Sequence, residues 1–245
     1  MGGGNFAIIA GPSSAESEEQ MTEIAEAIKK AGANVLTGGA ISSKIRTHTI
    51  QERNNRELGY LKAAKKATGL PIAKDVISEE DIPLYDDVDL LVVGERNMHN
   101  YPLLAELGCM QKPVILKRSI SATLEELLMA AEYIMAGGNK NIILCERGIR
   151  TFSDYTKSTF DVSAIPLLKE LTHLPVIADC SRCTGLGRLA GPLARAAAAA
   201  GADGVIIDVH NDPSSAAING GQAVSTEAFA DIASDIAKIR EVLAK

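Results

Sequence analysis

Short runs of apolar residues alternate with longer amphipathic segments along this chain. Each run is followed by glycine, proline or charged residues, which is typical of buried parallel strands. The predicted strands cover residues 6–10, 33–37, 71–75, 89–93, 113–116, 142–144, 175–178 and 204–207. Apolar residues at helical spacing predict helices at 16–30, 56–67, 123–136, 164–171, 189–200 and 226–243. The acidic segment 78–81 suits the beginning of another helix.

Eight strand–helix units in succession predict an α/β fold, the (β/α)8 TIM barrel. A doubly wound open sheet is the alternative fold, but it gives no reason for eight repeats. The glycine-rich dinucleotide fingerprint of that fold is also absent from the sequence. Because no linker or low-complexity tract interrupts the pattern, we expect a single domain over residues 1–245.

The composition narrows the class of protein. With 46% hydrophobic residues and no apolar run near the roughly 18 residues that span a bilayer, we expect no membrane association. The N-terminus lacks the features of a signal peptide, which favours a cytoplasmic location. A net charge of −6 argues against a nucleic-acid partner. Because the cytoplasm is reducing, the four cysteines are expected to be free thiols.

The sixth predicted strand ends in a cluster of charged residues. Arg147 and Arg150 lie on either side of Gly148. A guanidinium group binds phosphate or carboxylate oxygens in pairs, so two arginines at one strand end indicate an anion site. A strand that simply continues into a solvated loop would give the same pattern.

Charged residues recur at the ends of the other predicted strands, and in a TIM barrel these ends meet at one face. The cations there are Lys44, Arg46, Arg96, Lys117, Arg118, Arg147, Arg150 and Arg182. The acids are Asp75, Glu95, Glu146, Asp179 and Asp208. This excess of cations on an acidic protein favours a compact ligand that carries phosphate and carboxylate groups.

Motifs from the first strand to the seventh carry a family resemblance. They are residues 11–17 (GPSSAES), 38–40 (GGA), 44–47 (KIRT), 94–97 (GERN), 116–118 (LKR), 145–152 (CERGIRTF) and 174–179 (LPVIAD). In this combination the chain resembles the 3-deoxy-7-phosphoheptulonate (DAHP) synthase family in its short single-domain form, which is related to the 3-deoxy-octulosonate 8-phosphate (KDO 8-phosphate) synthases. The resemblance implies a homo-oligomer that condenses phosphoenolpyruvate with an aldose phosphate and releases inorganic phosphate. For DAHP the aldose is erythrose 4-phosphate, in the shikimate pathway of aromatic amino-acid biosynthesis.

The resemblance also implies roles for individual residues. Arg96 and Arg147 would hold the phosphate of phosphoenolpyruvate, and Lys117 its carboxylate. Lys44 would lie over the reacting carbons. The remaining substrate-binding residues implied by the motifs are Arg46, Thr47 and Asp179, of which Arg46 and Thr47 would receive the aldose phosphate. Ile45 stands where the family has proline, which affects the expected aldehyde specificity more than the phosphoenolpyruvate site.

The resemblance places a divalent metal on a Cys, a His, a Glu and an Asp, and all four differ here. The corresponding residues are Ser13, Arg182, Asp208 and Asn219. Serine and an amide are weak ligands, and an arginine stays protonated and cannot ligate. We therefore expect the family metal site to be lost, with no other cofactor. One hypothesis is that the guanidinium of Arg182 takes the place of the metal and pairs with Asp208; the other is an inert ion pair in a degenerate site.

A replacement metal site is a further alternative. Cys180 and Cys183 form a C-x-x-C pair, which supplies only two of the four ligands that a structural zinc requires. Asp208 and His210 lie on one side of their predicted strand and could complete such a site.

The sequence thus favours a phosphoenolpyruvate-dependent aldol-type synthase, a transferase with Lys44, Arg182 and Asp208 as catalytic residues. Its acceptor would be an aldose phosphate or a related aldehyde. One alternative is a catalytically impaired regulatory homologue that still binds phosphoenolpyruvate. Another is a phosphoenolpyruvate-dependent transferase that acts on a non-sugar acceptor.

Overall fold

The computed structural model describes residues 2–38 and 47–244, with the backbone alone for residues 47–54. Within these residues, eight parallel strands form a closed barrel in chain order, and the last strand pairs with the first. The strands are β1 Ala7–Gly11, β2 Val35–Thr37, β3 Ile72–Val76, β4 Leu90–Val93, β5 Val114–Lys117, β6 Ile142–Glu146, β7 Val176–Asp179 and β8 Gly204–Asp208. The predicted TIM barrel is confirmed.

Helices cover the outside of the barrel. They are α1 Glu18–Lys30, α2 Thr47–Thr68, α3 Tyr101–Gly108, α4 Leu124–Ala136, α5 Ala164–Leu171, α6 Cys180–Thr184, α7 Gly187–Ala199 and α8 Thr226–Leu243. Two 3-10 helices span Glu79–Tyr85 and Gly220–Gln222. In the described part of the chain, no helix has the length and apolar character needed to cross a membrane.

The main differences from the predicted elements lie in the helices, and α3 and α6 have no predicted counterpart. Helix α2 begins at Thr47 rather than near residue 56. Its first turns are polar, so they lack the regularly spaced apolar residues from which a helix is predicted. The segment after Ser78 forms a 3-10 helix that contains Pro83, and proline lacks the N–H that a regular helix needs there. Helix α6 has five residues, too few to show an apolar period.

The barrel interior contains a core of its own, separate from the core between strands and helices. Its ten residues are Ile9, Val35, Ala73, Leu90, Val92, Ile115, Ile143, Cys145, Ile177 and Ile206. They are apolar apart from the thiol of Cys145. Other side chains occupy the interior at the carboxyl ends of the strands. The face where the strands end therefore has an apolar floor.

Candidate active site

A layer of charged side chains lies above this apolar floor. Because successive side chains in a strand point to opposite faces, a residue two positions after an interior apolar residue also faces the interior. Four strands follow this rule with the pairs Ala73 and Asp75, Ile115 and Lys117, Ile177 and Asp179, and Ile206 and Asp208. One pocket is lined by Asp75, Lys117, Arg182 and Asp208. The structure thus brings together predicted site residues from separate strands.

Lys117 and Asp179 form a buried ion pair in this layer. The ammonium nitrogen Nζ of Lys117 lies 2.6 Å from Oδ2 of Asp179. Burial opposes the charged form of the lysine, but Asp179 and the more distant Asp75, with a contribution from Cys145, together outweigh burial and raise the pKa of Lys117. Burial likewise opposes the charged form of Asp179, yet Lys117 and Arg182 together lower the pKa of that carboxyl. An ammonium has three N–H groups, so Lys117 can bind a ligand carboxylate beside Asp179.

Arg182 lies among three carboxylates. Its backbone N–H donates to Oδ1 of Asp179 at 3.1 Å, which fixes the beginning of α6. Its guanidinium nitrogens lie 3.7 Å from Asp75, 3.9 Å from Asp179 and 4.0 Å from Asp208. These separations exceed hydrogen-bond length, and its Nε is buried without a hydrogen-bond partner among the described residues. Although burial opposes the charged form, Asp208 and Asp75 raise the pKa of Arg182, so the group is a fixed cation.

Asp208 is held by neutral polar side chains on its other side. The hydroxyl of Ser13 donates to Oδ2 of Asp208 at 2.7 Å, and the amide of Gln222 donates to the same oxygen. The backbone N–H of Asp208 donates to the hydroxyl of Ser181 at 2.9 Å. A Cβ at Gly11, the register partner of Asp208, would lie 1.8 Å from the Thr37 carbonyl oxygen, so only glycine fits at this end of β1.

The structure brings Gln222 to Asp208, where the sequence predicts Asn219. The Asn219 side chain is exposed, and its backbone adopts the left-handed conformation with φ of 57° that precedes the 3-10 helix. Gln222 is buried at the end of that helix. Sequence reasoning missed Gln222 because it lies in a loop, three positions from the matched residue.

The side chains around Asp208 do not suit a divalent metal ion. The hydroxyl of Ser13 and the amide of Gln222 are neutral, and both donate hydrogen bonds to the Asp208 carboxylate. The guanidinium of Arg182 on the other side repels a cation and has no lone pair to offer. Among the side chains that the structure describes, in residues 2–38 and 55–244, no group of three or more His, Cys, Asp or Glu is arranged to hold a metal.

The alternative metal ligands Cys180, Cys183 and His210 are engaged elsewhere. Burial raises the pKa of Cys180, and it raises the pKa of Cys183 to about 12, so both are neutral thiols rather than thiolates. Nδ1 of His210 accepts a hydrogen bond from the backbone N–H of Asp212 at 3.0 Å. Its Nε2 lies 3.6 Å from Glu16. Both ring nitrogens of His210 therefore have polar neighbours, with the Gln20 amide at 2.9 Å from Nε2.

Arg147, directly after β6, is a buried cation with few partners. Only 2% of its side chain is exposed. Its Nη2 lies 3.5 Å from the Arg182 carbonyl oxygen, and its Nε is buried without a hydrogen-bond partner in the described part of the chain. A Cβ at Gly148 would lie 2.7 Å from Oγ of Ser158, so the tight turn after Arg147 requires glycine. Because buried polar groups are normally satisfied, this guanidinium is a candidate for binding an oxyanion.

Three further charged residues lie around Arg147. The Glu95 carboxylate is 3.9 Å from Nη2 of Arg147. Lys157, in the loop after β6, is close enough to Arg147, Arg182 and Arg96 that burial and their repulsion lower its pKa. The Arg96 side chain is exposed, whereas Arg147 is buried, so Arg96 lies at the rim of the site. Sequence reasoning missed Lys157 because it follows no strand directly.

Two strand-end arginines belong to other surroundings. Nη1 of Arg118 donates to Glu146 and to Asp161, at 2.9 Å each, and its Nε donates to the Ala122 carbonyl oxygen. Arg150 is exposed. The interpretation that Arg147 and Arg150 form a pair at one anion site is therefore corrected, since one is buried and the other faces solvent.

The remaining predicted substrate residues lie in the β2–α2 connection. Lys44 and Arg46 lie outside the described residues. Thr47 is the first residue of α2, and its side chain is also outside them. Their roles stay predictions.

Comparison with known proteins agrees with this geometry. The DAHP synthetase I family matches residues 1–244. The chain belongs to this family. A phospho-2-dehydro-3-deoxyheptonate aldolase of Thermotoga maritima is 39% identical over 244 residues, which cover 99% of this chain and 72% of the relative. A 2-dehydro-3-deoxyphosphooctonate aldolase of Desulfatibacillum aliphaticivorans is 30% identical over 258 residues, which cover 98% of this chain and 93% of the relative.

Solved structures of the family superpose closely on this barrel. A truncated 3-deoxy-D-arabino-heptulosonate 7-phosphate synthase from Thermotoga maritima gives a TM-score of 0.91 at 39% identity, over 99% of this chain and 89% of the other. A DAHP synthase crystal structure from the same organism gives a TM-score of 0.94 at 40% identity, over 99% and 71%. The DAHP synthetase I barrel is thus shared along nearly the whole chain.

Proposed function

We propose that this member of the DAHP synthetase I family condenses phosphoenolpyruvate with an aldose phosphate and releases inorganic phosphate. As a family member it is a synthase-type enzyme of the transferase class. The observation that carries the proposal is the buried guanidinium of Arg147, whose Nε has no hydrogen-bond partner among the described residues and which acts on Glu95 and Asp179 together with the cation of Lys117. Two fixed cations of this kind suit the phosphate and the carboxylate of one small ligand.

The phosphate of phosphoenolpyruvate would bind Arg147, with Lys157 and Arg96 around it at the rim. Its carboxylate would bind Lys117, which Asp179 holds in place. Because two separate cations contact two groups of one molecule, the enol between them is oriented before the acceptor arrives. Asp179 would thus assist substrate binding through Lys117.

The acceptor aldehyde would lie between this enol and the β2–α2 connection. There Lys44 would contact the reacting carbons, and Arg46 and Thr47 would bind the phosphate of the aldose. The Thermotoga relative, a phospho-2-dehydro-3-deoxyheptonate aldolase, supports DAHP as the product and erythrose 4-phosphate as the acceptor. We infer that the protein acts as a homo-oligomer in the cytoplasm.

Arg182 would perform electrostatically what the family assigns to a metal. C3 of phosphoenolpyruvate attacks the aldehyde carbon, and the guanidinium of Arg182 stabilises the negative charge that develops on the aldehyde oxygen. Water then adds to the cationic C2 centre, and inorganic phosphate leaves. Asp208, fixed by Ser13 and Gln222, holds the guanidinium by charge. We therefore propose a metal-independent reaction, because the side chains around Asp208 do not suit a dication.

Phosphate release from phosphoenolpyruvate tests this function. The purified protein is assayed with erythrose 4-phosphate and a panel of aldehydes, with and without a strong chelator. We expect release with an aldose phosphate and the same rate with chelator present. Loss of activity with chelator, restored by a divalent metal, would remove the metal-independent reaction. Binding of phosphoenolpyruvate without release from any aldehyde favours the regulatory homologue, and release only with a non-sugar acceptor favours the other transferase.

Arg182→Gln tests the role of the guanidinium. Turnover should fall about 100-fold, the usual effect of removing one donor to a developing oxyanion, while the Kd for phosphoenolpyruvate changes little. Arg188→Gln, at an exposed position in α7, is the matched control and should leave turnover unchanged. Undiminished turnover in Arg182→Gln would contradict the proposed role.

A further inference from the structure

Glu95 places a negative charge inside the site that should bind an anion. It follows β4, and 23% of its side chain is exposed. Its Oε1 lies 3.9 Å from Nη2 of Arg147. Burial opposes the charged form of Glu95, but Arg147, Lys117 and Arg182 together lower its pKa, so it is charged at neutral pH. The carboxylate therefore meets the cations that the phosphate of phosphoenolpyruvate would contact.

The contact of Glu95 with Arg147 is loose. At 3.9 Å it is longer than a hydrogen bond, and Nε of Arg147 still has no hydrogen-bond partner among the described residues. A carboxylate that braces an arginine in this protein looks different: Glu146 accepts from Arg118 at 2.9 Å and is fully buried. Glu95 thus neutralises part of the charge of Arg147 without occupying its donors, and its partial exposure allows it to turn towards solvent.

We propose that Glu95 is the resident counter-anion of Arg147, which a ligand phosphate must displace and which returns when inorganic phosphate leaves. The inference rests on the proposed phosphoenolpyruvate site. Phosphoenolpyruvate can displace Glu95 because it gains a second contact at Lys117, whereas inorganic phosphate lacks a carboxylate. Glu95 therefore determines specificity by keeping small anions from occupying the site, and it favours release of the phosphate product.

Neutralising Glu95 should strengthen anion binding. The Kd for inorganic phosphate is measured by titration calorimetry on the full chain for the unaltered protein and for Glu95→Gln. We expect roughly tenfold tighter binding in the variant, the order of magnitude for removing a like charge near the ligand in a partly solvated site. Glu80→Gln removes the same charge from an exposed position after β3 and should change the Kd less than twofold.

A second variant ties the effect to Arg147. In the double variant Glu95→Gln, Arg147→Met, the gain in phosphate affinity should disappear. Equal or weaker phosphate binding in Glu95→Gln, with its melting temperature preserved, would show that Glu95 braces Arg147 and would overturn the inference.

Titration with phosphoenolpyruvate separates the two proposals. If the unaltered protein binds phosphoenolpyruvate while Glu95→Gln gains nothing for phosphate, the counter-anion is refuted and the phosphoenolpyruvate site stands. If neither protein binds phosphoenolpyruvate or phosphate, there is no anion site at Arg147, and the inference and the proposed function both fail.

Discussion

Arg118 and Arg147 follow neighbouring strands, and both are buried, yet their surroundings differ. Arg118 donates to two carboxylates and one backbone carbonyl group, all at 2.9 Å. Arg147 has one contact of 3.5 Å to a carbonyl oxygen, a loose contact of 3.9 Å to a carboxylate, and an Nε without a partner in the described part of the chain. Burial alone therefore does not distinguish an arginine that is fully paired within the fold from one that is a candidate for binding a ligand. The two differ in how many acceptors their N–H groups already have.

The contrast has an energetic meaning. Removing a buried cation that has acceptors leaves its buried partner charge unpaired, which lowers the stability of the fold. A buried cation without acceptors is a cost to the folded state that a bound anion offsets. Substitution of Arg118 should consequently change the free energy of unfolding, and substitution of Arg147 should change the Kd for the ligand.

Arg118→Met should have the largest effect, and it should fall on stability. The variant leaves the fully buried carboxylate of Glu146 without the guanidinium that it contacts, and breaking a buried pair in this way costs about 3–5 kcal/mol. Chemical denaturation measures the loss of unfolding free energy. Arg195→Met, at a partly exposed ion pair with Asp235, is the control and should cost less than about 1 kcal/mol. Equal losses in the two variants would contradict the structural role of Arg118.

Arg147→Met should change binding rather than stability. We expect the Kd for phosphoenolpyruvate to rise roughly 100-fold, since a hydrogen bond to a charged group contributes about 1.5–3 kcal/mol. The unfolding free energy should be unchanged or slightly higher, because an unpartnered buried charge is removed. Arg150→Met is the matched control, three positions away and exposed, and should bind normally. A large loss of stability in Arg147→Met, with binding kept, would reverse the comparison.

Gln222→Met should have the smallest effect of the three. It removes the amide that donates to Asp208, while Ser13 still donates to the same carboxylate. A single buried hydrogen bond to a charged acceptor corresponds to a loss of about 1–3 kcal/mol of unfolding free energy. Gln111→Met at an exposed position should have no effect in the same denaturation experiment. No difference between these variants would show that Gln222 contributes nothing to fixing Asp208.

The sequence predicts the barrel well because each strand and helix carries its own local signal. The two-residue periodicity even places Asp75, Lys117, Asp179 and Asp208 on the interior face. Helix α4 likewise begins with a local signal, a capping box: Glu126 N–H donates to Oγ1 of Thr123 at 3.1 Å, and Thr123 N–H donates to the Glu126 carboxylate at 2.7 Å.

What the sequence does not predict depends on distant partners. Arg118 and Arg147 have the same position at a strand end. Arg118 is distinguished by its acceptors Glu146, Asp161 and the Ala122 carbonyl group, which come from three different segments. Gln222 replaces Asn219 beside Asp208 because the 3-10 helix turns the chain by three residues. The partners of these side chains are determined by tertiary contacts, which cannot be read from the local periodicity of the sequence.

One carboxylate, that of Asp179, serves two neighbours at once. Oδ2 accepts from the ammonium group of Lys117, and Oδ1 accepts from the backbone N–H of Arg182 at the beginning of α6. Asp179 therefore positions both Lys117, on the phosphoenolpyruvate side of the proposed reaction, and Arg182, on the aldehyde side. An engineer who reshapes the acceptor side by moving α6 will also shift Lys117, so the two halves must be redesigned together.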